Sequence, residues 1–205
     1  MNRRTRTCWH EAGHLLIAHL VGDHLDGATV RPGTHYAGVT GHTATITPTD
    51  DDIDQLGGRL HDQPPRLRRW IETRGCIALA GDLAAEVGAM LPPLTEPDTV
   101  PDTAPAAVAV PRPLTRRWAE HDTSDAFTAD DKFAWEQAWL LTSDLHTQRA
   151  LIDLWTAVTR SMLRAAPAEL TRVAQALSDH GELSGSAATR LIEGHHDADH
   201  EAQAS

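Results

Sequence analysis

Five residues near the start of the chain restrict it more than any others: His10-Glu11-Ala12-Gly13-His14. They fall inside a run from Cys8-Trp9 through Leu15-Leu16-Ile17-Ala18 to Leu20-Val21. That run reads as one helix, entered at Thr5 or Thr7 and left at Gly22. Residues four apart stand one above the other on a helix face, so both imidazoles can reach a single tetrahedral zinc. Glu11 points about a third of a turn away, where it can meet a water on the ion without being a ligand. A zinc there would make water acidic and polarise a peptide carbonyl, with Glu11 taking the proton and passing it to the leaving amine. Glycine inside a helix costs about 1 kcal/mol relative to alanine. Gly13, between the two histidines, therefore predicts close packing by another element. The plainer alternative is a helix that happens to carry two surface histidines and an ordinary glutamate.

Two histidines do not complete a zinc site, and a third protein ligand is needed. His19 and His24 lie too near in sequence to serve, so the ligand must be a distant carboxylate or histidine. The rest of the chain offers helices and a little strand. Ala28-Thr29-Val30-Arg31 reads as a short strand, Pro32-Gly33 as a turn, and Tyr36 to Ile46 as further strand. Residues 48–65 are acidic and then punctuated by Gly and Pro. A long helix is expected from Arg66 to Gly88, with small residues (Ala78, Gly81, Ala84, Ala85, Gly88) on one face, which suits a central position. Seven prolines between Pro92 and Pro113 argue against helix or central strand over 91–126. Helix resumes near Thr128, which with Asp131 forms a capping-box-like pair, and runs to Thr142. Helices follow over 144–165, 167–180 and 186–193, and then a His- and Asp-rich tail over 194–205. The expectation is one mainly α domain with a small β-sheet (α+β) over 1–193, carrying a Pro-rich insertion at 91–126.

The net charge of -11 argues against a nucleic-acid partner and against an anionic membrane surface. Short Arg clusters at 3–6 and 66–69 read as solvated helix ends. Cys8 and Cys76 match no metal-ligand spacing and read as reduced thiols. With no apolar run of spanning length and no secretory signal, the expected setting is cytoplasmic.

The Ala-Gly pair within the motif resembles the form used by the FtsH family of ATP-dependent zinc proteases. Four further segments are similar to that peptidase domain, in the same order. Thr29 to Gly33 followed by Gly38-Val39-Thr40 resembles its strand, turn and Gly-Val-Thr strand. Ala80-Gly81-Asp82-Leu83-Ala84-Ala85-Glu86 resembles its Gly-Gly-Arg-x-Ala-Glu helix, and Thr128-Ala129-Asp130 with Ala134 and Ala138 its ligand-bearing helix. Leu177 to Leu191 resembles its closing segment. The resemblance implies His10, His14 and Asp130 as zinc ligands and Glu11 as base. Asp131 remains a rival to Asp130, and Asp125 a more distant one. It also implies that Glu86 supports the site from behind the ligands and that Gly38, Val39 and Thr40 form an edge that pairs with extended substrate.

The departures narrow the expectation. No Gly-x-x-x-x-Gly-Lys-Ser/Thr occurs in the sequence, and the Gly-Gly-Arg triplet has become Gly81-Asp82-Leu83. The implied activity is zinc-dependent endopeptidase action on unfolded or flexible protein segments, without an ATPase of its own. A homo-oligomer or a separately encoded partner stays open. The competing reading is a non-catalytic, zinc-stabilised interaction domain, for which Glu11 has no use.

Overall fold

The computed structural model describes residues 1–31, 38–45, 47–54, 56, 63–95 and 128–194. Their order is α1 (Arg3–Leu20), β1 (His24–Thr29), β2 (Val39–Thr43), α2 (Asp50–Ile53), α3 (Pro65–Gly88), α4 (Ala129–Leu141), α5 (Leu145–Ala165), α6 (Pro167–His180), β3 (Glu182–Ser184) and α7 (Gly185–Glu193). The fold is mainly helical with one three-stranded antiparallel sheet, ordered β2-β1-β3. The Pro32-Gly33 turn, most of the Pro-rich insertion, Asp125 and the tail beyond Gly194 lie outside the described residues. Among the described residues no helix is long and apolar enough to cross a membrane.

α3 is the central helix, packing against α1, α4 and α5. Its sequence explains this. Leu67, Ile71, Ile77, Leu83 and Val87 are buried along with Ala80 and Ala84, so large side chains alternate with notches. Trp9 of α1 lies over Gly88 and Trp155 of α5 over Gly75, where a methyl group would strike the indole rings. Two of the six tryptophans thus fill gaps left by glycine. α1 contributes Cys8, Ala12, Leu15, Leu16 and Ile17 to the same core. Burying a Leu or Ile is worth about 1.5–3 kcal/mol, so this seam holds α1 firmly. Both cysteines are free and buried, and burial pushes the Cys8 thiol up to about 11.

Several boundaries differ from expectation. α1 begins two residues before Thr5, because Asn2 caps it by accepting the Thr5 backbone N–H at 2.8 Å. Thr7 lies inside the helix and donates to the Arg3 carbonyl. β1 runs over 24–29 rather than 28–31, with a register irregularity between Leu25 and Gly27. Val30 leaves the ladder to bond the Gly181 carbonyl. β3 was not expected. Three residues suffice there because β1 offers a free side and the left-handed Gly181 ends α6 in position. The strand expected over 36–46 is observed as β2, over 39–43.

Candidate metal centre

α1 and α4 together build one cluster of donors, both braced on α3. His10 and His14 are one helical turn apart, and their Nε2 atoms face each other at 3.1 Å. Asp130, in the first turn of α4, places Oδ2 3.0 Å from His10 Nε2 and 3.4 Å from His14 Nε2. These three residues are the group among the described residues whose ligand atoms converge closely enough to hold a metal ion. Donors about 2.0–2.1 Å from a tetrahedral ion stand about 3.3 Å apart, close to the spacing seen here. Two imidazoles and a carboxylate suit a divalent first-row transition metal.

The neighbours fix the donors' chemistry. His14 Nδ1 lies 2.8 Å from the Ile77 carbonyl, which can only accept, so Nδ1 carries a proton and Nε2 is the nitrogen turned toward Asp130 that a metal ion would take in place of its proton. His10 Nδ1 faces Asp82 Oδ1 at 3.5 Å, and Asp82 is in turn paired with Arg6 at 3.1 Å. Gly81 makes room for His10: a Cβ there would lie 2.6 Å from the ring nitrogens. Gly13 lets α1 approach α3, since a Cβ would meet the Ala80 carbonyl oxygen at 2.5 Å. The close packing expected at Gly13 is therefore present, and its partner is α3.

Asp130 and Asp131 have separate tasks. Asp131 Oδ2 accepts the Thr128 N–H at 3.0 Å and its hydroxyl at 2.9 Å, while the Thr128 hydroxyl accepts the Asp131 N–H at 3.2 Å. That capping box occupies Asp131 and leaves Asp130 to face the histidines. Burial disfavours the Asp130 charge, but hydrogen bonds from His10 and His14 outweigh it and hold the carboxyl well below its usual range. Asp130→Asn is expected to weaken metal binding by about 100-fold or more, with zinc as the probe ion, since even outer partners of a site are worth up to that much. Asp131→Asn should keep the ion and cost less than about 1 kcal/mol of stability, because the Asn side-chain oxygen can still accept the Thr128 N–H. Zinc competition and thermal unfolding on both variants check this, and equal zinc loss in the two would remove Asp130's special place.

Metal uptake should also depend on pH. Burial works against the His14 imidazolium, but the Asp130 carboxylate prevails, so the metal-free pKa rises to about 9. Below that pH a proton occupies the nitrogen that an ion needs. Affinity for a divalent metal ion, probed with zinc, is expected to climb between about pH 7 and 9 as this competition fades. Titration against a chromophoric chelator checks it, and a flat profile across that range would mean His14 is already neutral.

Glu11 is 4% exposed and makes no ligand contact in the cluster. Its Oε2 accepts the Thr40 hydroxyl at 2.7 Å. Gly38 packs over the same carboxylate, and a Cβ there would lie 2.6 Å from Oε1. Burial chiefly raises its pKa, opposed by the positive charge of His14 and His10 and by the Thr40 bond.

Glu86 is a correction. It does not support the histidines but pairs with Arg160 of α5 at 3.1 Å, with 62% of its side chain exposed. From Gly81, which faces His10, five residues of helix advance the direction well past one turn, so Glu86 projects from another side of α3. The supporting groups are instead Ile77, through its carbonyl, and Asp82. The first has no side-chain signature. The second was legible as an acid inside the triplet that departs from the resembling Gly-Gly-Arg pattern.

No family model matches the chain, and no curated protein matches it. The function must be argued from the cluster itself.

Proposed function

We propose that this chain is a zinc-dependent endopeptidase acting on unfolded or flexible protein segments, similar to the FtsH peptidase domain. The observation that carries the reading is Glu11: a buried carboxylate beside two convergent imidazoles, held by the Thr40 hydroxyl, that among the described residues is neither a ligand nor part of a salt bridge. A structural metal site has no need of such a group, and burying a carboxylate is costly even with a hydrogen bond.

His10, His14 and Asp130 would hold the ion, leaving a fourth position open as catalytic zinc sites do. Zinc, when bound, supplies Lewis acidity that activates water and polarises a carbonyl. Glu11 accepts a proton from the attacking water on its carboxylate and returns it to the departing amide nitrogen. His14, fixed by the Ile77 carbonyl, keeps its lone pair directed inward throughout.

β2 is an edge strand of the sheet and begins next to Glu11, so an extended substrate segment can add alongside it. Because the Thr40 side chain is turned to Glu11, substrate recognition by Gly38, Val39 and Thr40 falls to backbone groups. Backbone pairing reads extended shape more than side-chain identity, which fits unfolded segments. Cleavage of casein by zinc-loaded protein, lost in Glu11→Gln with the zinc retained, is the expected result. Wild type as inert as Glu11→Gln on several unfolded substrates would sink the reading and favour a zinc-stabilised interaction domain.

A further inference from the structure

We propose that Thr40 is a positioning residue for Glu11, its hydroxyl holding the carboxylate in the orientation that proton transfer requires. The inference rests on the endopeptidase reading above and deepens it.

A glutamate side chain has three rotatable bonds, and a base must meet its proton at one place. Three observations show how this chain restrains Glu11. The Thr40 hydroxyl donates to Oε2 at 2.7 Å, and the carboxylate can only accept. Gly38, two residues earlier, brings bare backbone against the other oxygen. The third is the anchoring of the strand that carries them. An edge strand is held from one side only, yet β2 has a second tie. Thr40 and His42 share one face, since side chains alternate along a strand. His42 Nδ1 donates to Asp23 Oδ2 at 2.9 Å. Asp23 lies in the turn after α1, where its backbone N–H bonds the Ala18 carbonyl of that helix at 2.9 Å, and its side chain is 7% exposed. Arg74 of α3 completes the group, 4.0 Å from Asp23 and stacked over Trp70. The strand is therefore tied to α1 directly at Thr40 and through the turn that follows the helix at His42, and α1 is the helix that bears Glu11. The spacing between Thr40 and Glu11 is thus set by the fold and does not depend on a bound substrate.

A merely structural threonine would stabilise the strand and leave turnover alone. Thr40→Val keeps the shape and removes the donor, and Thr40→Ser restores the donor. Both are compared with wild type and Glu11→Gln as zinc-loaded proteins cleaving casein, with zinc content measured on each. The Glu11 carboxyl carbon is followed by NMR in the metal-free chains. The Val variant is expected to lose about ten- to hundredfold in kcat with KM changed by less than about twofold, as for outer partners of a reactive group. Its zinc content stays that of wild type, its Glu11 carboxyl resonance moves, and Ser reverses both effects. If the Val variant does not fold, Thr40→Ala takes its place.

An active wild type with unchanged kcat in the Val variant would overturn the positioning role and leave the endopeptidase reading intact. A loss confined to KM would place Thr40 on the substrate and overturn it equally. Failure of Ser to restore turnover, or an unmoved Glu11 resonance, would do the same. A wild type no more active than Glu11→Gln would remove the endopeptidase reading, and this role with it.

Discussion

Glu11→Gln is expected to lower kcat on an unfolded substrate by about 10²- to 10⁴-fold, the span that general acid–base catalysis commonly supplies. The substitution suits the site. Gln has the shape of Glu, and its amide oxygen can still accept the Thr40 hydroxyl that now binds Oε2 at 2.7 Å. Burial weighs against a charge at this position, so a neutral amide is tolerated. The three donor atoms are untouched, and the ion should stay at wild-type stoichiometry. Activity and metal content are thereby separated. Loss of both together would mean that Glu11 helps hold the cluster, while retention of a tenth or more of the activity, at about that order, would place the base elsewhere.

The second large effect is on stability. Gly13→Ala should destabilise the protein by about 1–3 kcal/mol, the usual penalty for overpacking. Helix propensity taken alone argues the reverse, favouring Ala by about 1 kcal/mol. Packing decides the sign. The added methyl would meet the Ala80 carbonyl oxygen at 2.5 Å, and that oxygen belongs to the backbone of a buried helix that cannot rotate aside. Relief requires α1 to move away from α3. The same movement would lengthen the 2.8 Å contact between His14 and the Ile77 carbonyl, so zinc affinity should fall as well. Thermal unfolding of the metal-free chain and chelator competition measure the two consequences. A variant more stable than wild type would show that propensity rules at this position and that the helices have room to spare.

Legibility from sequence followed the range of the interactions involved. The motif helix was readable because His10, Glu11 and His14 are local and helical geometry does the rest. Gly13 could be read as a close-approach position because a costly glycine needs a reason. Its partner could not be named, since that depends on how α1 crosses α3. The choice between Asp130 and Asp131 was contained in the sequence more fully than the resemblance alone implied. Thr128 needs the residue three positions on to close its box, and that commits Asp131. Glu86 went astray because a pattern match carries no helical phase, and phase turns it toward Arg160. β3 and the true extent of β1 escaped because His24, Asp26 and Gly27 have little strand character. Pairing with β2 imposes it, joined by β3 from Gly27 onward. The Ile77 carbonyl and the Thr40 tie are contacts between distant segments, invisible to any local rule.

The delivery of Asp130 from α4 has a consequence for how such a chain can vary. The stretch between α3 and α4 has its two flanks pinned. Thr95 exchanges hydrogen bonds with Gln175 of α6 through both its N–H and its carbonyl, and Thr128 opens α4 inside its capping box. The entropy of joining two fixed points grows only with the logarithm of the length between them, so doubling a connection costs about 0.6 kcal/mol. The cluster responds to where that connection ends and is nearly indifferent to how far it travels. A one-residue shift at Thr128, by contrast, would turn Asp130 away from the histidines.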